Sequence, residues 1–297
     1  MKTHIVNSGR DLPFLATYPA ELISHLEPGL IVDVGAATGD TTLLMRKANP
    51  ASRVIAYEPF PGNLPYLERS VRSDPLVTVR SAAVSDYQGV GRLLLPSIID
   101  GREKRWAQIA GASRVGKLNS FPFRKAVAKV EVPVIMLDRE IREHVRFLKI
   151  DVQIGEFKVL NGARDLIRQH GIDLIYVEFR GDVRLLRLLD AYGYTIMDCA
   201  YMAWPHRRYI GNFFRARPDW KIPDWEVLQT FTSANRHRAR RVWPHVPFRS
   251  FASYCVWFYF ERVFVTGLQT DLLCVHKSFW DEFRRICGAC GGSVDSE

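Results

Sequence analysis

Ile31-Val32-Asp33-Val34-Gly35-Ala36-Ala37-Thr38-Gly39-Asp40 decides the reading of this chain. An apolar run stops at a turn carrying two glycines, and a helix-like segment from Thr41 to Lys47 takes over. A second apolar run, Val54-Ile55-Ala56-Tyr57, then ends on Glu58. Strand, turn, helix and strand closing on an acid is how doubly wound α/β proteins hold an adenosine-containing ligand. Gly35 and Gly39 let the backbone approach such a ligand with no Cβ in the way, and Glu58 stands where it can accept from two ribose hydroxyls.

The spacing selects among these ligands. A dinucleotide fingerprint needs Gly-x-Gly-x-x-Gly, so that a pyrophosphate can sit on the helix N-terminus. Here the turn reads Asp33-x-Gly35-x-x-x-Gly39, with Ala37 where the middle glycine belongs. Asp40 opens the helix, where it repels phosphate. S-adenosylmethionine has no phosphate and carries a sulfonium and an ammonium, which Asp33 and Asp40 can face. The residues therefore point away from a dehydrogenase and toward S-adenosylmethionine, with a structural turn that holds no ligand as the plainer alternative.

Composition places few limits on this. The 297 residues are 47% hydrophobic and 25% charged, enough for one large globular domain with an insertion. No apolar run reaches the length of a membrane span; the longest, Cys255 to Phe260, is broken by Glu261 and Arg262. Met1 to Phe14 lacks the apolar centre of a secretory signal, so the expected location is the cytoplasm. Five scattered cysteines (Cys199, Cys255, Cys274, Cys287, Cys290) fit thiols in a reducing compartment. Cys287-x-x-Cys290 has no second pair to complete a zinc site and reads as a fraying terminus, with a redox motif as the alternative.

Beyond Glu58 the alternation continues. Leu64 to Val71 reads as a helix and Val77 to Val79 as a strand. Leu93 to Leu95 and Val130 to Val134 read as antiparallel edge strands around a polar excursion, Pro96 to Lys129. Phe147-Leu148-Lys149-Ile150-Asp151 is a strand ending in an acid, followed by a helix from Glu156 to Gln169. Leu174 to Glu178 is another strand with an acidic end. A helix from Val183 to Tyr192 and strands at Tyr194–Met197 and Leu272–Val275 complete the pattern. Such alternation implies a largely parallel sheet with helices on both faces and a ligand site off the carboxyl ends of its strands. Asp33, Glu58, Asp151 and Glu178 all sit at such ends.

These segments resemble the FkbM-type methyltransferase family. The likeness runs through Asp33-Val34-Gly35-Ala36-x-x-Gly39-Asp40, Tyr57-Glu58-Pro59, Ala83-Val84-Ser85-Asp86 with Gly89, and Val132-Pro133-Val134 with Leu137-Asp138. It continues through Leu148-Lys149-Ile150-Asp151-Val152-Gln153 with Glu156, Gly162-Ala163, Val177-Glu178 and Leu272 to Lys277. The resemblance implies an α/β, class I methyltransferase (Rossmann-like) fold: a doubly wound, mostly parallel seven-stranded sheet. It implies S-adenosylmethionine-dependent O-methylation of a hydroxyl on a sugar, glycolipid or polyketide-type small molecule. It divides the chain into an N-terminal helical segment (1–28), a methyltransferase core (29–200), an insertion (201–267), and a last strand with a tail (268–297). Two departures stand out: Ala37 replaces the family's usual Asn, and Gly155 comes one place late, leaving Ile154 in the turn before Glu156.

By the resemblance, Asp33, Gly35 and Gly39 hold the methionine portion, Glu58 the ribose, and Ser85 and Asp86 lie near the adenine. Asp151 is the first candidate for acceptor contact or general base, Glu178 the second and Glu156 the third. The plainer alternatives are a helix cap for Asp151 and ion pairs with Arg180 or Arg184 for Glu178. An acidic rim of Asp151 and Glu178 is compatible with a divalent metal, though nothing in the sequence requires one.

The insertion is basic and aromatic. From Pro205 to Ser250 it carries +7 of the chain's +9 net charge, interleaved with tryptophans such as Trp220, Trp225 and Trp243. Arginine among aromatics can bind phosphate or sugar rings, rest on an anionic membrane, or simply cover a solvated cap. The reading carried forward is a substrate lid for an anionic or lipid-linked glycan acceptor. Nucleic acid is a weaker partner: base methylation calls for an Asn/Asp-Pro-Pro-aromatic turn, and this chain has Asp151-Val152-Gln153-Ile154. Ribose methylation with Lys149, Asp151 and Glu178, and a non-catalytic binding module, are the remaining alternatives.

Overall fold

A computed structural model describes residues 20–72, 74–95, 108–109, 128–153, 155–169, 171–179, 182–198 and 270–289. The insertion 201–267, with Cys199, Cys255, Cys290, Ile154 and Arg180, lies outside the described residues.

After a short helix α1 (Ala20–Ser24), strand β1 (Leu30–Val34) is buried at every position. Helix α2 (Asp40–Ala48) carries Asp40 in its first turn and Arg46 and Lys47 in its last, in accord with its dipole. Strand β2 (Arg53–Tyr57), helix α3 (Leu64–Val71) and strand β3 (Val77–Arg80) follow. A small sheet is built from β4 (Ala83–Val84), β5 (Gly89–Leu95), β6 (Gln108–Ile109) and β7 (Ala128–Ile135). Helix α4 (Leu137–Glu140) leads into β8 (Val145–Ile150), helices α5 (Glu156–Asn161) and α6 (Arg164–Arg168), and β9 (Ile172–Phe179). Helix α7 (Val183–Ala191), β10 (Tyr194–Asp198), β11 (Thr270–His276) and, after a 3₁₀ turn, α8 (Trp280–Ala289) complete the described chain.

The main sheet has seven strands in the order β10-β11-β9-β8-β1-β2-β3. Pairings from β3 through β9 are parallel, and β10 with β11 is antiparallel. This is an α/β, Rossmann-like sheet, mostly parallel and seven-stranded, as the sequence implies. Its central strands are mostly apolar because helices cover both faces, and β9 is buried at all eight positions. At the edge, β3 alternates half-buried and exposed residues.

The described residues fall into two compact units, one within residues 23–178 and the other within residues 1–22 and 179–297. In the first, Asn49 donates from Nδ2 to the carbonyls of Ile23 and Leu26, and Arg46 grips Asp74 through Nε and Nη2 at 2.6 and 3.1 Å. In the second, α7 buries Leu185, Leu186, Leu188 and Leu189, and Asp182 caps it by accepting from Arg184 N.

Three expectations need correction. The strands at 93–95 and 130–134 are antiparallel partners, yet they belong to a separate four-stranded sheet rather than to the edge of the main one. That sheet encloses its own core of Ala83, Leu93, Val132 and Val134, against which Phe60 packs. The single helix expected from Glu156 to Gln169 is two, broken at Gly162-Ala163, because Asp138 caps the second by accepting from Asp165 N and Leu166 N. Cys287 lies fully buried in α8 instead of in a frayed tail.

Candidate active site

The strand register assembles the site. Val34 pairs with Tyr57 on one side and Ile150 on the other, and Ile150 pairs with Val177. The next residue of each strand therefore falls in one row across β9, β8, β1 and β2: Glu178, Asp151, Gly35, Glu58. One pleat below, Asp33 pairs in register with Lys149.

Gly35 is the hinge of this row. Its φ is +84° and a Cβ there would lie 1.9 Å from the Asp151 carbonyl oxygen, so the β1 turn and the β8 turn meet backbone to backbone. Gly35 N and Ala36 N both donate to Tyr57 O at 2.9 and 3.0 Å. Ala37 adopts φ +50°, a left-handed conformation that Asn takes more readily than Ala. This places its N–H 2.7 Å from Glu58 Oε2. Gly39 closes the turn, donating to Ala36 O at 2.9 Å with φ +91°. Asp40 then opens α2, accepting from Thr38 Oγ1.

Glu58 is almost completely buried. Its Oε1 accepts from Phe60 N at 2.9 Å and from Asn63 Nδ2 at 3.2 Å. Burial pushes its carboxyl above the usual range, opposed by those donors, by Ala37 N and by the Lys149 charge.

Asp33, fully buried, accepts from Thr42 Oγ1 at 2.6 Å and Thr41 Oγ1 at 3.3 Å, and pairs with Lys149 Nζ at 3.0 Å. Lys149 Nζ also donates to the Gly35 carbonyl at 2.7 Å. Burial alone would lower the Lys149 ammonium; the carboxylates of Asp33, Asp151 and Glu58 outweigh it and hold it above the usual lysine range. The sequence suggests a chemical role for Lys149 only in the ribose-methylating alternative. Its place at the centre of the turn depends on β8 lying beside β1.

Asp151 is half-buried, with its N bonded to Val34 O at 2.9 Å and its Oδ1 accepting from Gln153 Nε2 at 3.0 Å. The N-cap of α5 is Gly155, so Asp151 does not hold the cap position of that helix. The left-handed residue of this turn is Gln153, φ +57°, and not the displaced Gly155, whose φ is −98°. Glu156 is buried in the first turn of α5, and Glu178 is buried at the end of β9. Arg184 pairs with Asp182 through both its Nε and Nη2.

Ser85 and Asp86 form a turn held from behind. Ser85 N donates to Ile135 O, Asn161 Nδ2 donates to Asp86 Oδ2 at 3.1 Å, and a Cβ on Gly162 would lie 2.0 Å from Ser85 O. Phe60, two residues after Glu58, packs on the cluster containing Ala83 and so links this turn to the row. Among the described residues, no group of three or more His, Cys, Asp or Glu side chains stands where it could hold a metal ion, and no helix is long and apolar enough to cross a membrane.

A family model for the methyltransferase FkbM domain matches residues 33–196. The chain belongs to the FkbM methyltransferase family. It is similar to Methyltransferase 1 of Beauveria bassiana, 24% identical over an alignment of 233 residues that covers 70% of this chain and 82% of that one. Among solved structures it is similar to the methyltransferase FkbM from Methylobacillus flagellatus, at 18% identity and a TM-score of 0.42. That match covers 63% of this chain and 44% of the other, so this chain spans less than half of that FkbM protein. The precorrin-6y C5,15-methyltransferase from Geobacter metallireducens matches at 11% identity and a TM-score of 0.36, over 61% and 71% of the two chains. As a member of the FkbM family, this chain is a methyltransferase.

Proposed function

We propose that this FkbM-family member binds S-adenosylmethionine at the Gly35–Gly39 turn and methylates a hydroxyl of a sugar, glycolipid or polyketide-type small molecule. The observation that carries the reading is the row Glu178–Asp151–Gly35–Glu58 on four neighbouring strand ends. Its chemistry fits the donor. Carboxylates of Asp33, Asp151 and Glu58 act together on the buried Lys149, and Glu178 stands at the next strand end, an environment that favours a cation and repels a pyrophosphate. When bound, the donor supplies a methyl group made electrophilic by its sulfonium.

The protein's part is alignment and proton removal. Glu58, fixed by Ala37 N, Phe60 N and Asn63 Nδ2, is suited to the ribose hydroxyls. Asp33, whose carboxylate is engaged by Thr41, Thr42 and Lys149, holds the turn's shape, while the Gly35–Gly39 backbone faces the methionine portion. Ser85 and Asp86 suit the adenine side. Asp151 is the candidate base for the acceptor hydroxyl, with Glu178 beside it. The positive charge of residues 205–250 supports an anionic acceptor, such as a phosphate-linked glycan.

Calorimetry with S-adenosylhomocysteine, followed by incubation with methyl-labelled S-adenosylmethionine and a fractionated cell extract, tests this reading. Binding is expected, with label recovered in a glycan, lipid or small-molecule fraction as a base-stable ether. Label in RNA would overturn the small-molecule acceptor, and label released by mild base would overturn the hydroxyl assignment.

A further inference from the structure

The Asn63 side chain has an acceptor that no described residue satisfies. Asn63 is 2% exposed, and its Oδ1 is buried without a hydrogen-bond partner among the described residues. Its other amide atom, Nδ2, donates to Glu58 Oε1 at 3.2 Å. That bond settles the amide's orientation, because the flipped form would press two acceptors together.

Asn63 is the N-cap of α3, and an N-cap asparagine ordinarily spends its oxygen on the N–H of the second or third helical residue. Both partners are unavailable here. The second helical residue is Pro65, which has no N–H, and Tyr66 N donates to the Asn63 main-chain oxygen at 3.0 Å. Leu67 N goes to that same oxygen, also at 3.0 Å. The side chain is thus turned away from helix capping and toward the carboxylate at the end of β2. It leaves two acceptors side by side, Glu58 and Asn63 Oδ1, and a buried acceptor without a donor is costly. A pair of neighbouring acceptors is the complement of a pair of neighbouring donors, and a vicinal diol supplies them.

We propose that Asn63 Oδ1 accepts a hydrogen bond from one of the two ribose hydroxyls of the methyl donor, Glu58 taking the other. This rests on the S-adenosylmethionine reading above. Asn63 then does two jobs with one amide: Nδ2 orients Glu58, and Oδ1 discriminates a ribose from a deoxyribose.

The test is calorimetric and uses S-adenosylhomocysteine with its 2′-deoxy and 3′-deoxy analogues, on the full chain and on Asn63→Ala and Asn63→Ser. In the unaltered protein each missing hydroxyl is expected to weaken binding roughly tenfold. In Asn63→Ala, one of the two deletions should cost less than twofold while the other keeps its penalty. Asn63→Ser, which retains a hydroxyl able to donate to Glu58, should show the same one-sided loss and decides the matter if Asn63→Ala does not fold. Equal penalties for both analogues in all three proteins would overturn the proposal and reduce Asn63 to a support for Glu58. Failure of the unaltered protein to bind S-adenosylhomocysteine would be a different result, and would overturn the donor assignment itself.

Discussion

Lys149 Nζ donates to the carbonyl oxygen of Gly35 at 2.7 Å, joining two residues 114 positions apart in the chain. The same ammonium is paired at 3.0 Å with Asp33, which is fully buried. One cation thus fixes both the last residues of β1 and the turn that follows. It also bears on function: an ammonium held by a carbonyl and a carboxylate is a structural clamp, which argues against the lysine-centred ribose methylation that the sequence left open.

Replacing Lys149 with Met should expose the cost of that clamp. The Asp33 carboxylate would keep only the hydroxyls of Thr41 and Thr42, and stranding one partner of a buried ion pair costs about 3–5 kcal/mol. Urea unfolding should show a loss of this size, and the double variant Lys149→Met with Asp33→Asn should recover much of it. A single variant as stable as the unaltered protein would mean that the pair contributes nothing.

Gly35→Ala tests the contact between turns. The added Cβ would lie 1.9 Å from the Asp151 carbonyl, and φ +84° is a conformation that alanine adopts only with strain of about 1–2 kcal/mol. Because that neighbour is backbone, one turn must move. S-adenosylhomocysteine binding, followed by calorimetry, should fall at least tenfold, whereas Gly288→Ala in α8, with nothing within 4 Å, should leave it unchanged.

Much of this site is legible in the sequence because it is local. Gly35, Gly39 and Glu58 belong to one strand-turn-helix-strand unit, and their spacing is enough to place them. Lys149 is different, since only the order of β8 beside β1 brings it under Gly35, and no periodicity encodes strand order. The break between α5 and α6 was hidden for a similar reason: the amphipathic pattern runs on through Gly162, while the cap that starts α6 comes from Asp138, far back in the chain. Alternation likewise reveals β5 and β7 as strands but does not say which sheet they join. In the β8 turn, the eye goes to the displaced Gly155, yet the left-handed position falls on Gln153.

Glu58 makes stability depend on pH in a definite direction. Burial raises its carboxyl pKa above the ordinary carboxylate range, so the folded state prefers the protonated form. Below the unfolded pKa both states are protonated and nothing is lost. As pH rises through the folded value the folded carboxyl ionises at a cost, so this group opposes folding most above that range. Relative to Glu58→Gln, the unaltered protein should therefore lose stability between acidic and neutral pH. Parallel denaturation curves for the two proteins at every pH would contradict the assignment.

Asp151 is the residue on which the chemistry turns. Its backbone is locked to β1 through Val34 O, while its carboxylate, half-buried, accepts from Gln153 and does not hold the cap position of α5. That leaves lone pairs on a positioned carboxylate at the same row as the methyl-donor turn. Asp151→Asn keeps the shape and the Gln153 side of the contact but cannot accept a proton. A general base of this kind is worth roughly 10²–10⁴ in rate. Methyl transfer into the labelled acceptor fraction should fall by at least that lower bound, while S-adenosylhomocysteine affinity stays within about threefold, because the Gly35–Gly39 turn and Glu58 are untouched. Glu178→Gln provides the comparison. If Asp151→Asn transfers methyl at the normal rate and Glu178→Gln does not, the proton goes to the neighbouring strand end instead.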